Sequence, residues 1–142
     1  MNVNFALLLP EFLVMGLAFA ILTADFFLKI DRKHFLGYLA ALGLIGILAF
    51  TLAYQWDRRD DLYQGLIMVD AYSLFFKGFF LVLGVIVVLT SVDYVKRHIE
   101  YPGEYYGIIV FTIVGMMLMA ASGELLTAYI SLELLSFGLY VL

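Results

Sequence analysis

The chain has 142 residues, of which 65% are hydrophobic and only 14% are charged, and its formal net charge is −4. A soluble domain averages roughly 45–50% apolar and about 25% charged residues, so this composition excludes an ordinary soluble protein and indicates a polytopic membrane protein. The absence of cysteine excludes disulfides, thiolate metal sites and iron–sulfur clusters within the chain. Lys and Arg occur in no run longer than a pair, so nothing in the sequence indicates nucleic-acid binding.

Five apolar segments follow one another along the chain, at about residues 4–28, 35–54, 71–92, 105–121 and 124–142. Each is close to the roughly 17–25 residues that a helix needs to cross the hydrocarbon core of a bilayer. Continuous apolar runs favour helices over the alternating strands of a barrel. The sequence therefore predicts an all-α membrane protein, a single region of about five transmembrane helices.

The basic residues of the connectors predict the orientation of these helices. The first and third connectors, "KIDRKH" and "DYVKRHIE", carry five Lys and Arg residues, whereas "QWDRRDD" has two beside three aspartates and "ASGE" has none. The positive-inside rule then places the N-terminus outside. The last segment reaches Leu142 without a basic or polar flank, from which we expect the chain to be the N-terminal part of a longer protein.

Glu11 and Lys77 are two charged residues placed within predicted helices. Each lies about seven residues into its segment from the predicted outer side, a depth of roughly 10 Å at 1.5 Å per residue. Equal depth and opposite charge favour an ion pair between the first and third helices. The alternative is that each side chain reaches the outer interface separately.

Glu133 lies in the last apolar segment, nine residues after Glu124. This spacing places its carboxylate roughly 13 Å into a core about 30 Å thick, close to the bilayer midplane. At 100° per residue, its face carries a polar stripe of Ser122, Tyr129, Ser136 and Tyr140.

Such a charge at the bilayer centre costs at least roughly 2.5–3.5 kcal/mol and usually marks an ion or proton pathway. We therefore predict that Glu133 transfers protons, with a partner from another helix or water. The alternative is a protonated acid that only hydrogen-bonds a neighbouring helix.

The stretch "YYGIIVFTIVGMMLMAASGELLTAYISLELLSFGLYVL" closely resembles the fourth and fifth helices of the subunit N family of the proton-pumping NADH:quinone oxidoreductase, respiratory complex I. The stretch shares with that family a small-residue turn, an acidic residue, "LL", then "LELLS" and an aromatic-Leu ending. "LLPEFLVMGLAFAILTADFF" resembles the first helix of that family and "VDAYSLFFKGFFLVLG" its third. The resemblance spans the whole chain and implies the N-terminal part of an antiporter-like fold of about fourteen helices with two inverted five-helix repeats.

The resemblance also implies a function and a set of partners. Glu133 matches the family's fifth-helix glutamate, which pairs with a lysine of the seventh helix, and that lysine would lie beyond Leu142. The chain would belong to a proton-translocation subunit of a bacterial inner (plasma) membrane, coupling quinone reduction to proton pumping and not catalytic alone. It would bind no cofactor or metal itself. NADH, FMN, iron–sulfur clusters and quinone would be bound by partner subunits, and its contacts would be other membrane subunits and lipid.

Related families leave alternatives open. The L and M subunits, multisubunit cation/proton antiporters and membrane-bound hydrogenase subunits share the acidic fifth helix. Several of them have tryptophan before the glutamate, whereas this sequence has Leu132, which favours subunit N. One alternative function is an antiporter subunit that exchanges Na⁺ for H⁺. Another is a structural membrane protein in which the buried Glu133 is passive.

Overall fold

The computed structural model describes residues 8–32, 35–56, 60–62 and 67–142. In chain order its elements are α1 (Leu9–Phe27), a 3₁₀ turn (Ile30–Arg32), α2 (Phe35–Gln55), β1 (Asp60–Leu62), β2 (Ile67–Val69), α3 (Ala71–His98), α4 (Pro102–Ala121) and α5 (Leu125–Val141). The predicted all-α class is confirmed, with five helices and one short hairpin in the described part of the chain.

Helices α1 to α4 are each long and apolar enough to cross a membrane. Helix α5 is also apolar but has 17 residues. At 1.5 Å per residue it is about 26 Å long, slightly shorter than a hydrocarbon core of about 30 Å. Length and composition therefore agree with a multi-pass membrane protein.

The four longer helices form an antiparallel ring around one core. Helix α1 packs against α2 and α4, α3 also packs against α2 and α4, and α5 lies on the outside of α4. Helices α1 and α3 therefore face each other diagonally across the interior. The buried core between them is aliphatic and includes Val14, Leu44, Leu81 and Ile113. Gly84 permits this packing, because a Cβ atom there would overlap Ile113 of α4.

Two helices extend beyond their predicted bounds. Helix α3 continues to His98, although its polar last turns resemble a connector in sequence. Three basic residues, Lys96, Arg97 and His98, occupy its last turn, where cations interact favourably with the helix dipole. Helix α4 begins at Pro102, since proline is well tolerated in the first turn of a helix. The predicted start of the first helix near residue 4 lies outside the described residues.

The connector between α2 and α3 contains an antiparallel hairpin that the sequence analysis did not predict. Leu62 of β1 pairs with Ile67 of β2. Ile67 makes a further antiparallel bridge to Ser122, just after α4. We call this end of the molecule, where α1, α3 and α5 begin and α2 and α4 end, the hairpin end.

The start of α3 is fixed by a capping box. Asp70 Oδ1 accepts a hydrogen bond from the Ser73 backbone N–H at 2.8 Å, and Ser73 Oγ accepts one from the Asp70 backbone N–H at 3.0 Å. This arrangement satisfies two backbone donors that would otherwise lack partners in the first turn. The hairpin therefore leads directly into a well-anchored helix.

Asp70→Ala should lower the free energy of unfolding by about 1 kcal/mol, because it leaves the Ser73 N–H without its acceptor. The midpoint of thermal unfolding of the purified protein in detergent would measure this loss. Asp93→Ala is the matched control, since Asp93 is exposed in the same helix and should change stability by less than about 0.5 kcal/mol. Equal losses in the two variants would contradict the capping role.

Candidate functional site

Helix α5 is held against α4 by a narrow stripe of small residues. Its two buried residues are Ser131 and Gly138. Gly138 lies against Thr112 of α4, and Gly115 of α4 lies against the backbone of Leu135. Such small residues let two membrane helices approach closely. This contact was not predicted, although the spacing of Ser131 and Gly138, seven residues apart on one face, indicates it.

Glu133 lies on the opposite side of α5 from this contact. At 100° per residue it is about 180° from the stripe that faces α4. Its side chain is exposed, as are Tyr129 and Tyr140, whereas Ser136 is half-buried. The predicted polar stripe is therefore a single face of α5, and that face points away from the other described helices. Among the described residues, none forms a hydrogen bond or an ion pair with the Glu133 side chain.

The structure differs from the predicted fifth helix at two residues, Ser122 and Glu124. Ser122 is the C-cap residue of α4, so its assignment to the stripe is wrong, because α5 begins only at Leu125. Glu124 occupies the N-cap position of α5 without a side-chain hydrogen bond. Glu133 then lies about 12 Å from the first residue of the helix.

Glu11 and Lys77 meet in the interior of the bundle. Lys77 Nζ lies 2.6 Å from Glu11 Oε1, and both side chains are buried. They therefore do not reach the interface separately. The two charged groups are in direct contact, and neither has a hydrogen-bond partner among the other described residues. Each charge is balanced chiefly by the other, across the diagonal between α1 and α3.

The ion pair and Glu133 lie at a similar depth. Helix α4 contacts Leu22 of α1 through its first turns and Gly138 of α5 through its middle. When residues are counted from these contacts along the antiparallel helices, Glu11 and Glu133 both lie at the height of Met117 along the bundle, to within about one residue. Met117 is fully buried, so α4 separates the ion pair from Glu133 within one layer near the hairpin end. In the described ranges, no group of three or more His, Asp or Glu side chains could hold a metal ion.

Comparison with known proteins reveals relatives along nearly the whole chain, although no family model matches it. It is 36% identical over 137 residues to NADH-quinone oxidoreductase subunit N of Dehalococcoides mccartyi, which covers 96% of this chain and 28% of the relative. It is 36% identical over 141 residues to the subunit N of Trichlorobacter lovleyi, covering 99% of the chain and 29% of the relative. It is 33% identical over 142 residues to that of Desulforamulus reducens, covering 100% and 30%.

The chain thus spans 28–30% of the length of these curated relatives. The helices and the hairpin described above all lie within the matched part. The recognition made from the sequence motifs is confirmed: this chain is a relative of NADH-quinone oxidoreductase subunit N, matching somewhat over a quarter of that subunit's length.

Proposed function

We propose that the chain serves proton translocation as part of a membrane subunit of a bacterial NADH-quinone oxidoreductase, with Glu133 as a proton-transfer group. The names of its relatives support the complex and the subunit. The observation that carries the proton-transfer role is the position of Glu133, an ionisable side chain exposed on one face of an apolar helix.

In the assembled complex, we expect another helix to cover the exposed face of α5 that carries Glu133. A carboxylate turned toward hydrocarbon costs several kcal/mol, whereas intramembrane carboxylates usually face protein or a water-filled cavity. The neighbouring Tyr129 and Tyr140 carry hydroxyl groups that both donate and accept hydrogen bonds. A further helix covering this face would enclose Glu133 and the two hydroxyls in a polar strip along which protons can move.

The redox chemistry belongs to partner subunits in this proposal. The chain has no cysteine, so it cannot supply the thiolate ligands of an iron–sulfur cluster. NADH oxidation and quinone reduction would occur elsewhere in the complex. In this proposal, the chain provides part of the route by which protons cross the inner membrane, and that membrane maintains the proton gradient.

Glu133→Gln in the assembled complex should abolish most NADH-driven proton uptake into inverted membrane vesicles, because the amide keeps the shape but cannot exchange a proton. The uptake is followed with a pH-sensitive dye, and NADH oxidation is recorded in the same vesicles. Glu124→Gln is the matched control, since Glu124 is also an exposed glutamate, at the start of the same helix. It should translocate protons normally.

Full proton uptake by the Glu133→Gln complex would reject this role and leave Glu133 as a passive residue. The antiporter alternative gives a different result. Proton movement in vesicles would then depend on Na⁺ and would continue without NADH. A sodium-free buffer therefore separates that function from the proposed one.

A further inference from the structure

We propose that the hairpin of β1 and β2 is a positioning element that holds the start of α5, and with it Glu133, in place on the bundle. The inference rests on the proposed function of Glu133. Its structural basis is the antiparallel bridge between Ile67 and Ser122. Ser122 lies three residues before Leu125, where α5 begins, so the hairpin binds the backbone immediately ahead of that helix.

In the first turns of α5, Thr127 and Ala128 are half-buried and the other residues are exposed. The buried residues of α5 are Ser131 and Gly138, and residues 125–130 are all exposed or half-buried. Leu125 is 88% exposed. Glu124 does not cap the helix through its side chain. The start of α5 is therefore restrained by its three-residue connection to α4 and by the bridge that Ile67 makes to Ser122 within that connection.

Both partners of the bridge are themselves fixed. Ser122 Oγ donates a hydrogen bond to the carbonyl of Met119 at 2.7 Å, which holds Ser122 on the end of α4. Strand β2 continues into the capping box of Asp70 at the start of α3. Through this bridge, the hairpin connects the segment just before α5 to the end of α4 and the start of α3. A slip of α5 by one residue would move Glu133 by about 1.5 Å along the helix axis, and misplacement of about 1 Å can cost a reaction two orders of magnitude.

An engineered disulfide tests this role, because the chain contains no other cysteine. Residues paired in an antiparallel bridge have Cα atoms about 4.5–5.5 Å apart, which is within the range of a disulfide. In the assembled complex, the oxidised Ile67→Cys/Ser122→Cys pair should translocate as many protons per NADH as the unmodified chain. Leu62→Pro disrupts strand pairing opposite Ile67 and should lower that ratio at least twofold.

The decisive variant combines the two changes. Adding the oxidised cysteine pair to Leu62→Pro should restore the ratio of protons to NADH, whereas the reduced pair should not. Two results would overturn the proposal. One is a block of translocation by the disulfide in the otherwise unchanged chain, which would mean that the start of α5 must leave the hairpin. The other is a Leu62→Pro complex that is less abundant but has an unchanged ratio, which indicates a structural role alone.

Amide hydrogen exchange of residues 122–130, measured by mass spectrometry, separates this proposal from the function of Glu133. Exchange should increase in Leu62→Pro and decrease again when the disulfide forms. If Glu133→Gln translocates protons normally, the proposed function fails, but the exchange result still decides whether the hairpin holds α5. Unchanged exchange in Leu62→Pro would contradict the positioning role.

Discussion

Replacing Lys77 with methionine should destabilise the protein by about 3–5 kcal/mol, because the Glu11 carboxylate would remain in the interior without its counter-charge. Both side chains are buried, and their charged atoms are 2.6 Å apart. Neither has another hydrogen-bond partner among the described residues, so no neighbouring group can replace the missing one. We expect a lower midpoint of thermal unfolding and less subunit in the membrane.

Lys96→Met is the matched control, since Lys96 lies in the same helix but is exposed. It should change stability by less than about 0.5 kcal/mol. The double variant Glu11→Leu/Lys77→Met should recover most of the lost stability, because well-packed apolar residues often replace a buried ion pair without cost. If Lys77→Met behaves like Lys96→Met, the pair does not hold α1 and α3 together.

Gly138→Ala should destabilise the contact between α5 and α4 by about 1–3 kcal/mol, the usual cost of overpacking. Its new Cβ atom would overlap Thr112 Oγ1. Alanine favours a helix by up to about 1 kcal/mol over glycine, which reduces the net loss but does not remove the overlap. Because α5 carries Glu133, the same variant should lower the protons translocated per NADH oxidised.

A second substitution relieves the same overlap. Thr112→Ala removes Oγ1 and leaves a Cβ atom 3.2 Å from the new one, a distance that a small shift can accommodate. The double variant should therefore approach the stability of the unmodified chain. Gly46→Ala is the control, since a Cβ atom there meets nothing within 4 Å and should be neutral or stabilising. Equal losses at Gly138 and Gly46 would contradict the steric explanation.

The helices could be predicted from the sequence because long apolar runs have few other solutions in a membrane. The partnership of Glu11 and Lys77 could also be anticipated, since two opposite charges at one depth have few other neighbours. The extension of α3 to His98 could not, because its last turns have the polar composition of a loop. The interactions of that segment with the helix dipole depend on a helix already being present.

The hairpin and the surroundings of Glu133 were not predicted from the sequence, for different reasons. The bridge between Ile67 and Ser122 joins segments far apart in the chain, and no local pattern encodes it. The spacing of Ser131 and Gly138 indicates which face of α5 makes a close helix contact, but it does not indicate that α4 is the helix in contact. The proton-transfer role of Glu133 remains a prediction from its chemistry.

The diagonal ion pair has a consequence for biosynthesis. Glu11 leaves the ribosome 66 residues before Lys77, an interval of about 3–13 s at 5–20 residues per second. During that time the Glu11 carboxylate of α1 lacks its counter-charge, which makes its burial in the membrane costly. The arrival of α3 then supplies the cation that allows α1 to settle in the interior. Membrane insertion of this chain should therefore be cooperative, with the first helix stably placed only after the third has been made.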